Sequence, residues 1–90
     1  MKKLVQVQEV EEEGMMALLG KRVMVFCMNY IYTGNLTGVN QSCILLENPA
    51  IVYETGPFTD KKFKDAQWLP NSLYIQLNSI ESFGETDKNK

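Results

Sequence analysis

The sequence predicts one small all-β domain with an N-terminal helix, in which five short strands form a barrel. Its 90 residues suffice for one hydrophobic core and not for two. Short apolar runs rich in β-branched and aromatic residues recur over residues 23–83, separated by Asn, Ser and Gly turn signals. Glycines inside one run indicate sharp bends, which a tight barrel requires. We expect residues 1–84 to form the domain and residues 85–90 to be a polar C-terminal tail that frays.

Residues 9–20 predict the helix. One apolar face is approximated by Val10, Met15, Leu18 and Leu19, and the glutamates stand in the first turns, where the helix dipole favours negative charge. Gly20 is a stop signal. Before the helix, alternating residues 3–8 indicate a short strand or an extended arm.

The strands follow the helix and are predicted, in chain order, at residues 23–28, 30–39, 42–46, 73–77 and 80–83. Gly34 and Gly38 mark bends in the second strand. Asn48 and Pro49 break or bulge the chain after the third strand, and residues 54–67 predict a long polar loop. A helix followed by five short strands with a bent second strand is the element order of an SH3-like barrel.

The composition excludes several kinds of site. The chain contains no histidine, so His-containing metal sites and His-based acid–base catalysis are excluded. Its two cysteines, Cys27 and Cys43, are too few for a disulfide scaffold or a four-cysteine zinc site, and we expect them to be buried, reduced and slow to react. We predict no metal, no cofactor and no catalytic residue, and therefore a protein that is not an enzyme.

Charge and hydropathy narrow the set of partners. Nine basic residues against eleven acidic ones give a formal net charge of -2, which argues against a strongly basic nucleic-acid clamp. The longest continuous apolar run, residues 23–28, is far shorter than the roughly 20 residues of a membrane helix. Gln6, Gln8 and Glu9 interrupt any signal-peptide core. We expect a cytoplasmic protein without a membrane partner.

Several short motifs carry a resemblance to a known family. Gly34-Asn35-Leu36 supplies a G-x-L pair on the second strand, and Asn40 stands where that family usually has Asp. Leu46-Glu47-Asn48 followed by Ala50 is similar to the family's third-strand ending, and residues 74–80 are similar to its second motif. Residues 9–83 therefore resemble the Sm/LSm proteins. The resemblance implies an Sm-like barrel that assembles into a homo-oligomeric ring and binds uridine-rich single-stranded RNA.

The RNA contacts of that family map only partly onto this chain. The family uses an aromatic residue or His to stack a base, an Asn to read it, and an Arg beside it. These positions fall on Ser42, on Cys43 or Ile44, and on Gln76. None of the three elements is kept, which separates this chain from the typical members of the family.

Polar residues in the two turns remain as candidate RNA contacts, because amide groups can both donate and accept hydrogen bonds at a base edge. They are Asn40, Gln41, Ser42, Gln76 and Asn78. The alternative is that these residues only solvate strand ends, where Asn and Ser are common. Residues 23–46 and 66–80 contain no Lys or Arg to neutralise phosphate, which favours that alternative.

A subunit interface is predicted on the last two strands, which form an uncharged edge suited to pairing with a neighbour. Its candidate residues are Leu73, Tyr74, Ile75, Leu77, Ile80 and Phe83. In the Sm-like arrangement the fourth strand of one subunit pairs with the fifth of the next. These side chains could instead fill the chain's own core, and both can hold for alternate residues. The alternative function is an oligomeric scaffold for protein partners, without a nucleic-acid ligand.

The long loop offers a second possible binding surface. It interleaves lysines with aromatic residues, a combination that can hold single strands: Lys61, Lys62 and Lys64 with Phe58, Phe63 and Trp68. The alternative is a solubilising loop whose Phe63 and Trp68 pack onto the barrel.

Overall fold

The computed structural model describes residues 14–89 and shows a mostly antiparallel β-sheet of six strands. The strands are β1 (Arg22–Cys27), β2 (Ile31–Val39), β3 (Cys43–Glu54), β4 (Asp65–Trp68), β5 (Leu73–Gln76) and β6 (Ile80–Glu85). Two short 3₁₀ helices cover Gly14–Leu18 and Leu77–Ser79. The predicted all-β class is confirmed.

The strand order across the sheet is β4-β3-β2-β1-β6, and β5 pairs with β3 beside β4. The first half of β3 pairs with β5, from Cys43 opposite Gln76 to Leu46 opposite Leu73. Its second half pairs with β4. In the described part of the chain β5 and β6 do not pair with each other, so the sheet is open and the predicted closed barrel is wrong for the single chain.

The third strand is longer than predicted, because Asn48 and Pro49 bulge it without ending it. Thr33 pairs with Ala50, whereas Asn35 pairs with Glu47, so the bulge lies between these two pairs. Asn48 adopts a φ of 48°, a left-handed conformation that Asn tolerates better than most residues. The strand count is six and not five, because β4 lies in the segment predicted as a loop.

The helix predicted over residues 9–20 is wrong as a continuous element. Residues 9–13, like the strand or arm predicted over residues 3–8, lie outside the described residues. Residues 14–18 form only a five-residue 3₁₀ helix. Gly14, the first residue of this 3₁₀ helix, has a φ of 64°, which lies outside the right-handed helical region, so an α-helix cannot continue through it.

Two apolar clusters hold the sheet together, one on each face of β1. Val23 and Val25 belong to the main cluster with Leu36, Ile44 and other buried residues. Met24 points to the opposite face and packs in a smaller cluster with Val52 and Phe63. Alternation along a strand explains this division, because successive side chains point to opposite faces.

The C-terminal tail, which the sequence predicts to fray, lies against the loop that follows β3. Lys88 is only 3% exposed, and its Nζ donates hydrogen bonds to the carbonyl oxygens of Pro57 (2.8 Å) and Asp60 (2.7 Å). The same ammonium group lies over the rings of Phe58 and Phe63, 5.6 and 5.4 Å from their centroids. Carbonyl and aromatic contacts together satisfy the buried cation.

Candidate functional site

The structure brings together the two turns that carry the predicted RNA contacts. The backbone N–H of Leu77 donates to the carbonyl oxygen of Ser42 at 2.8 Å, which ties the turn before β3 to the end of β5. Around this contact is an open depression of about 640 Å³. Four of the five predicted contact residues line it: Gln41, Ser42, Gln76 and Asn78.

Asn40, the fifth predicted contact residue, holds the turn itself. Its Oδ1 accepts hydrogen bonds from the backbone N–H groups of Ser42 and Cys43, both at 2.8 Å, and from the Ser42 hydroxyl at 3.1 Å. An Asn that accepts from the backbone two and three residues ahead is a turn-forming residue. The strand-end interpretation therefore fits Asn40, whereas the other four side chains face the depression.

A second depression, of about 630 Å³, adjoins the first on the other side of Tyr74. It shares Tyr74, Gln76 and Asn78 with the first depression and adds Tyr30 and Tyr32. The centroids of these two rings are 6.2 Å apart and their planes are inclined at 58°. Tyr74 is 69% exposed, so a flat partner can reach its ring.

We call the combined area the Tyr74 surface, defined by Gln41, Ser42, Tyr74, Gln76, Asn78, Tyr30 and Tyr32. Sequence reasoning missed Tyr30 and Tyr32 as site residues. Tyr30 directly precedes β2 and Tyr32 is its second residue; their spacing of two favours one side of an extended chain, but the sequence does not indicate that this side borders an open depression.

Within the described chain, no Lys or Arg lines either depression, and Glu81 is the one charged residue among their lining residues. Burial raises the pKa of the Tyr32 hydroxyl, with further contributions from Cys27 and Tyr30. Tyr32 is therefore a neutral hydrogen-bond donor at physiological pH. The Tyr74 surface offers aromatic faces, hydroxyls and amides without a positive charge.

The six residues of the predicted subunit interface fall into two groups: some face the core of the chain and some face outward. Ile75 is 6% exposed and belongs to the main core, which agrees with the core alternative for its side chain. Leu73, Leu77 and Ile80 are half-buried and pack against the same core. Tyr74 and Phe83 point outward and are exposed. The core alternative therefore accounts for the buried and half-buried residues of this set, and the subunit interface stays a prediction for which Tyr74 and Phe83 are accessible.

Of the loop's aromatic residues, only Phe58 is placed beside a loop lysine: it is exposed and lines a depression together with Lys61. Phe63 is buried in the smaller core cluster, and Trp68 lies against Arg22 with its ring centroid 4.8 Å from the guanidinium carbon. Lys64 pairs with Glu54 at 3.4 Å. The packing of Phe63 and Trp68 onto the sheet agrees with the alternative that the sequence left open for this loop.

Arg22 and Trp68 form a second polar site at the start of β1. Together with Asn35, Asn48 and Leu69 they line a depression of about 380 Å³. The guanidinium Nη1 donates to Oδ1 of Asn35 over 3.4 Å. Burial lowers the pKa of Arg22, although a guanidinium stays charged at any physiological pH.

Comparisons with known proteins do not identify a family for this chain: no family model matches it, and no curated protein does. The Sm/LSm resemblance therefore stays a prediction. Between residues 14 and 89 no group of three or more His, Cys, Asp or Glu side chains is placed to hold a metal ion. Over the same residues no helix has the length and apolar character needed to cross a membrane.

Cys27 and Cys43 are free and half-buried, where the sequence predicts full burial. They lie on β1 and β3, which β2 separates. Burial raises the pKa of the Cys27 thiol, and the negative charge of Glu81 raises it further. Since the thiolate is the reactive form, the higher pKa lowers the reactive fraction near neutral pH.

Alkylation of Cys27 should therefore be slow at pH 8, and Glu81→Gln should shift its pH–rate profile to lower pH. The measurement is the rate of reaction with iodoacetamide in a Cys43→Ser background, where Cys27 is the only thiol. Glu47→Gln, which removes an exposed carboxylate of β3, is the control. Coincident profiles for the two variants would contradict a contribution from Glu81.

Proposed function

We propose that this chain is a self-associating β-domain that binds single-stranded RNA through the Tyr74 surface. The observation that carries the proposal is the convergence of two turns. Gln41 and Ser42 come from one turn, Gln76 and Asn78 from the other, and the exposed Tyr74 ring lies between them.

The chemistry of this surface suits an unstacked base. An exposed tyrosine ring can stack on any base, and one such contact contributes about 1–3 kcal/mol by alanine substitution. Amide side chains beside the ring can donate to and accept from the edges of the base. Because one face of a single-stranded base is free to stack, single-stranded RNA fits this surface better than a duplex does.

The electrostatics predict an unusual salt dependence for this binding. Each neutralised phosphate of a single strand contributes about 0.7 to the slope of log K against log salt. Since no Lys or Arg of residues 14–89 lines either of the two depressions that form the Tyr74 surface, the slope should be close to zero. Affinity should then be modest, because stacking and neutral hydrogen bonds must supply nearly all of it.

Replacement of Asn78 or Gln76 by Ala should each weaken binding, and Tyr74→Ala should weaken it most, by roughly tenfold. The measurement is fluorescence anisotropy of a labelled oligouridine titrated with protein at two salt concentrations. Matched controls are Asn71→Ala, an exposed Asn before β5, and Tyr53→Ala, an exposed Tyr on β3. Both controls should bind as the wild type does.

The proposal fails if no ribo-oligonucleotide binds at low salt, or if the controls weaken binding as much as the Tyr74-surface variants do. Loss of binding with Lys61, Lys62 and Lys64 replaced together, and not with Tyr74→Ala, would move the site to the loop.

A second candidate function is an oligomeric scaffold without RNA, which the open sheet favours. The outer edge of β5 has no partner strand within residues 14–89, and unpaired edges associate readily. If the protein self-associates by light scattering and binds no RNA in the anisotropy experiment, the scaffold is the better proposal.

A further inference from the structure

The side chain of Arg22 combines a covered guanidinium with two unused donors. One face of the group lies against the ring of Trp68, and Nη1 donates to Asn35. Its Nε and Nη2 are buried, and no acceptor among residues 14–89 reaches either of them. An unsatisfied buried donor is unfavourable, and more so when it carries charge.

Arg22 also lacks a counter-charge in the described chain. The two ion pairs among residues 14–89 are Lys21 with Glu85 and Lys64 with Glu54, and both are exposed. A partly desolvated cation without a carboxylate is rare unless something else neutralises it.

The two unused donors lie side by side on one edge of the guanidinium. Nε–H and Nη2–H are the pair that binds two oxygens of one planar or tetrahedral oxyanion through parallel hydrogen bonds. We propose that Arg22, with Asn35, Asn48 and Trp68, forms a binding site for one oxyanion group, a carboxylate or a phosphate. The adjoining depression of about 380 Å³ has room for such a group.

The other lining residues support this assignment. The β3 bulge brings Asn48 into the lining, and its side-chain amide can donate to an anion. Because Nε and Nη2 are covered, an entering anion must displace a neighbouring side chain. Trp68 ends β4, a four-residue strand with one partner, and is 37% exposed, so its ring can shift over the guanidinium face when an anion enters.

The oxyanion can come from two sources with the same chemistry. One is a carboxylate or phosphate on another molecule. The other is this chain's own acidic run, Glu9, Glu11, Glu12 and Glu13. The site does not depend on the proposed RNA function, since it shares no lining residue with the Tyr74 surface.

Trp68 is the one tryptophan of the chain, so its fluorescence reports on this site directly. We would titrate the full chain with phosphate and, separately, acetate, replacing chloride to keep the ionic strength constant. The wild type should show a saturable fluorescence change and a ligand-dependent rise in Tm. Arg22→Lys keeps the charge and loses the paired donors, so it should bind at least about tenfold more weakly.

Lys21→Gln removes the neighbouring exposed cation and should titrate as the wild type does.

A second arm of the experiment replaces Glu9, Glu11, Glu12 and Glu13 by Gln. If this variant binds phosphate and the wild type does not, the site is an oxyanion site that the chain's own carboxylates fill. No saturation in either protein, or equal affinity in wild type and Arg22→Lys, would overturn the proposal. Far-UV circular dichroism of each variant distinguishes lost binding from lost folding.

Discussion

Tyr74→Pro is expected to convert the proposed oligomer into a 10.3 kDa monomer. The β3–β5 pairing places Tyr74 opposite Leu45. Continued by three residues, the same pairing places Leu77 opposite Ser42, and the N–H of Leu77 donates to the carbonyl oxygen of Ser42. In an antiparallel pair, hydrogen-bonded and non-hydrogen-bonded residue pairs alternate. Counting back from Leu77, Tyr74 is in a non-hydrogen-bonded pair, so its N–H points away from β3 towards the outer edge. Proline removes that donor without removing a bond to β3.

The measurement is the native mass by light scattering at micromolar concentration. Tyr74→Ala is the matched control, because it removes the same ring and keeps the backbone donor, and it should remain oligomeric. A monomeric wild type would contradict self-association. A Tyr74→Pro protein that is folded, by circular dichroism, and still oligomeric would contradict pairing through the β5 edge.

The strands with strong β-branched and aromatic content could be predicted from the sequence. β1, β2, β5 and β6 each begin and end within two residues of their predicted bounds, because apolar runs between Asn and Ser turn signals leave few alternatives. The sequence does not predict β4, because this strand lacks a run of apolar residues. Residues 65–68 mix Asp and Gln with Ala and Trp, and an edge strand of this composition has the pattern of a loop.

The bulge at Pro49, one of the two predicted outcomes, and the missing continuous helix at Gly14 both have backbone causes. A proline usually ends a strand, but at a bulge its missing donor costs little, and β3 continues past it. Glycine at residue 14 weakens a predicted helix without excluding it, and only the observed φ of 64° excludes a continuous α-helix through this residue. Glycine adopts positive and negative φ about equally readily, so the sequence around it does not determine which of the two the folded chain adopts.

The candidate sites were predictable in part. The barrel prediction places residues 40–42 and 76–78 on neighbouring loops, and they are neighbours in the open sheet because β3 pairs with β5. Arg22 has no such signal, since its unused donors result from the positions of Trp68 and Asn48 on two other strands. A site assembled by tertiary packing leaves no spacing pattern in the sequence.

Gly34→Ala should destabilise the domain by about 1–3 kcal/mol, the usual range for overpacking. A Cβ at residue 34 would lie 3.0 Å from Cβ of Leu46, 3.2 Å from the carbonyl oxygen of Glu47 and 3.3 Å from Cα of Pro49. Two of these atoms are backbone and the third is the first atom of a fully buried side chain, so none can move without shifting β3. The bend of β2 over the β3 bulge therefore requires glycine.

Gly38→Ala is the matched control, the same change in the same strand. There the added Cβ would be 3.4 Å from Cβ and 3.9 Å from Cδ2 of Leu45, which are ordinary van der Waals separations, and Leu45 is only partly buried. Its effect on stability should be small, and alanine also reduces the entropy of the unfolded chain. For a domain of this size each 1 kcal/mol lowers Tm by roughly 4–8 °C, so thermal unfolding followed by circular dichroism resolves the two variants. Equal Tm values for both would show that the close approach of β3 at Gly34 does not constrain the fold, whereas a selective loss at Gly34 locates the constraint at the bulge.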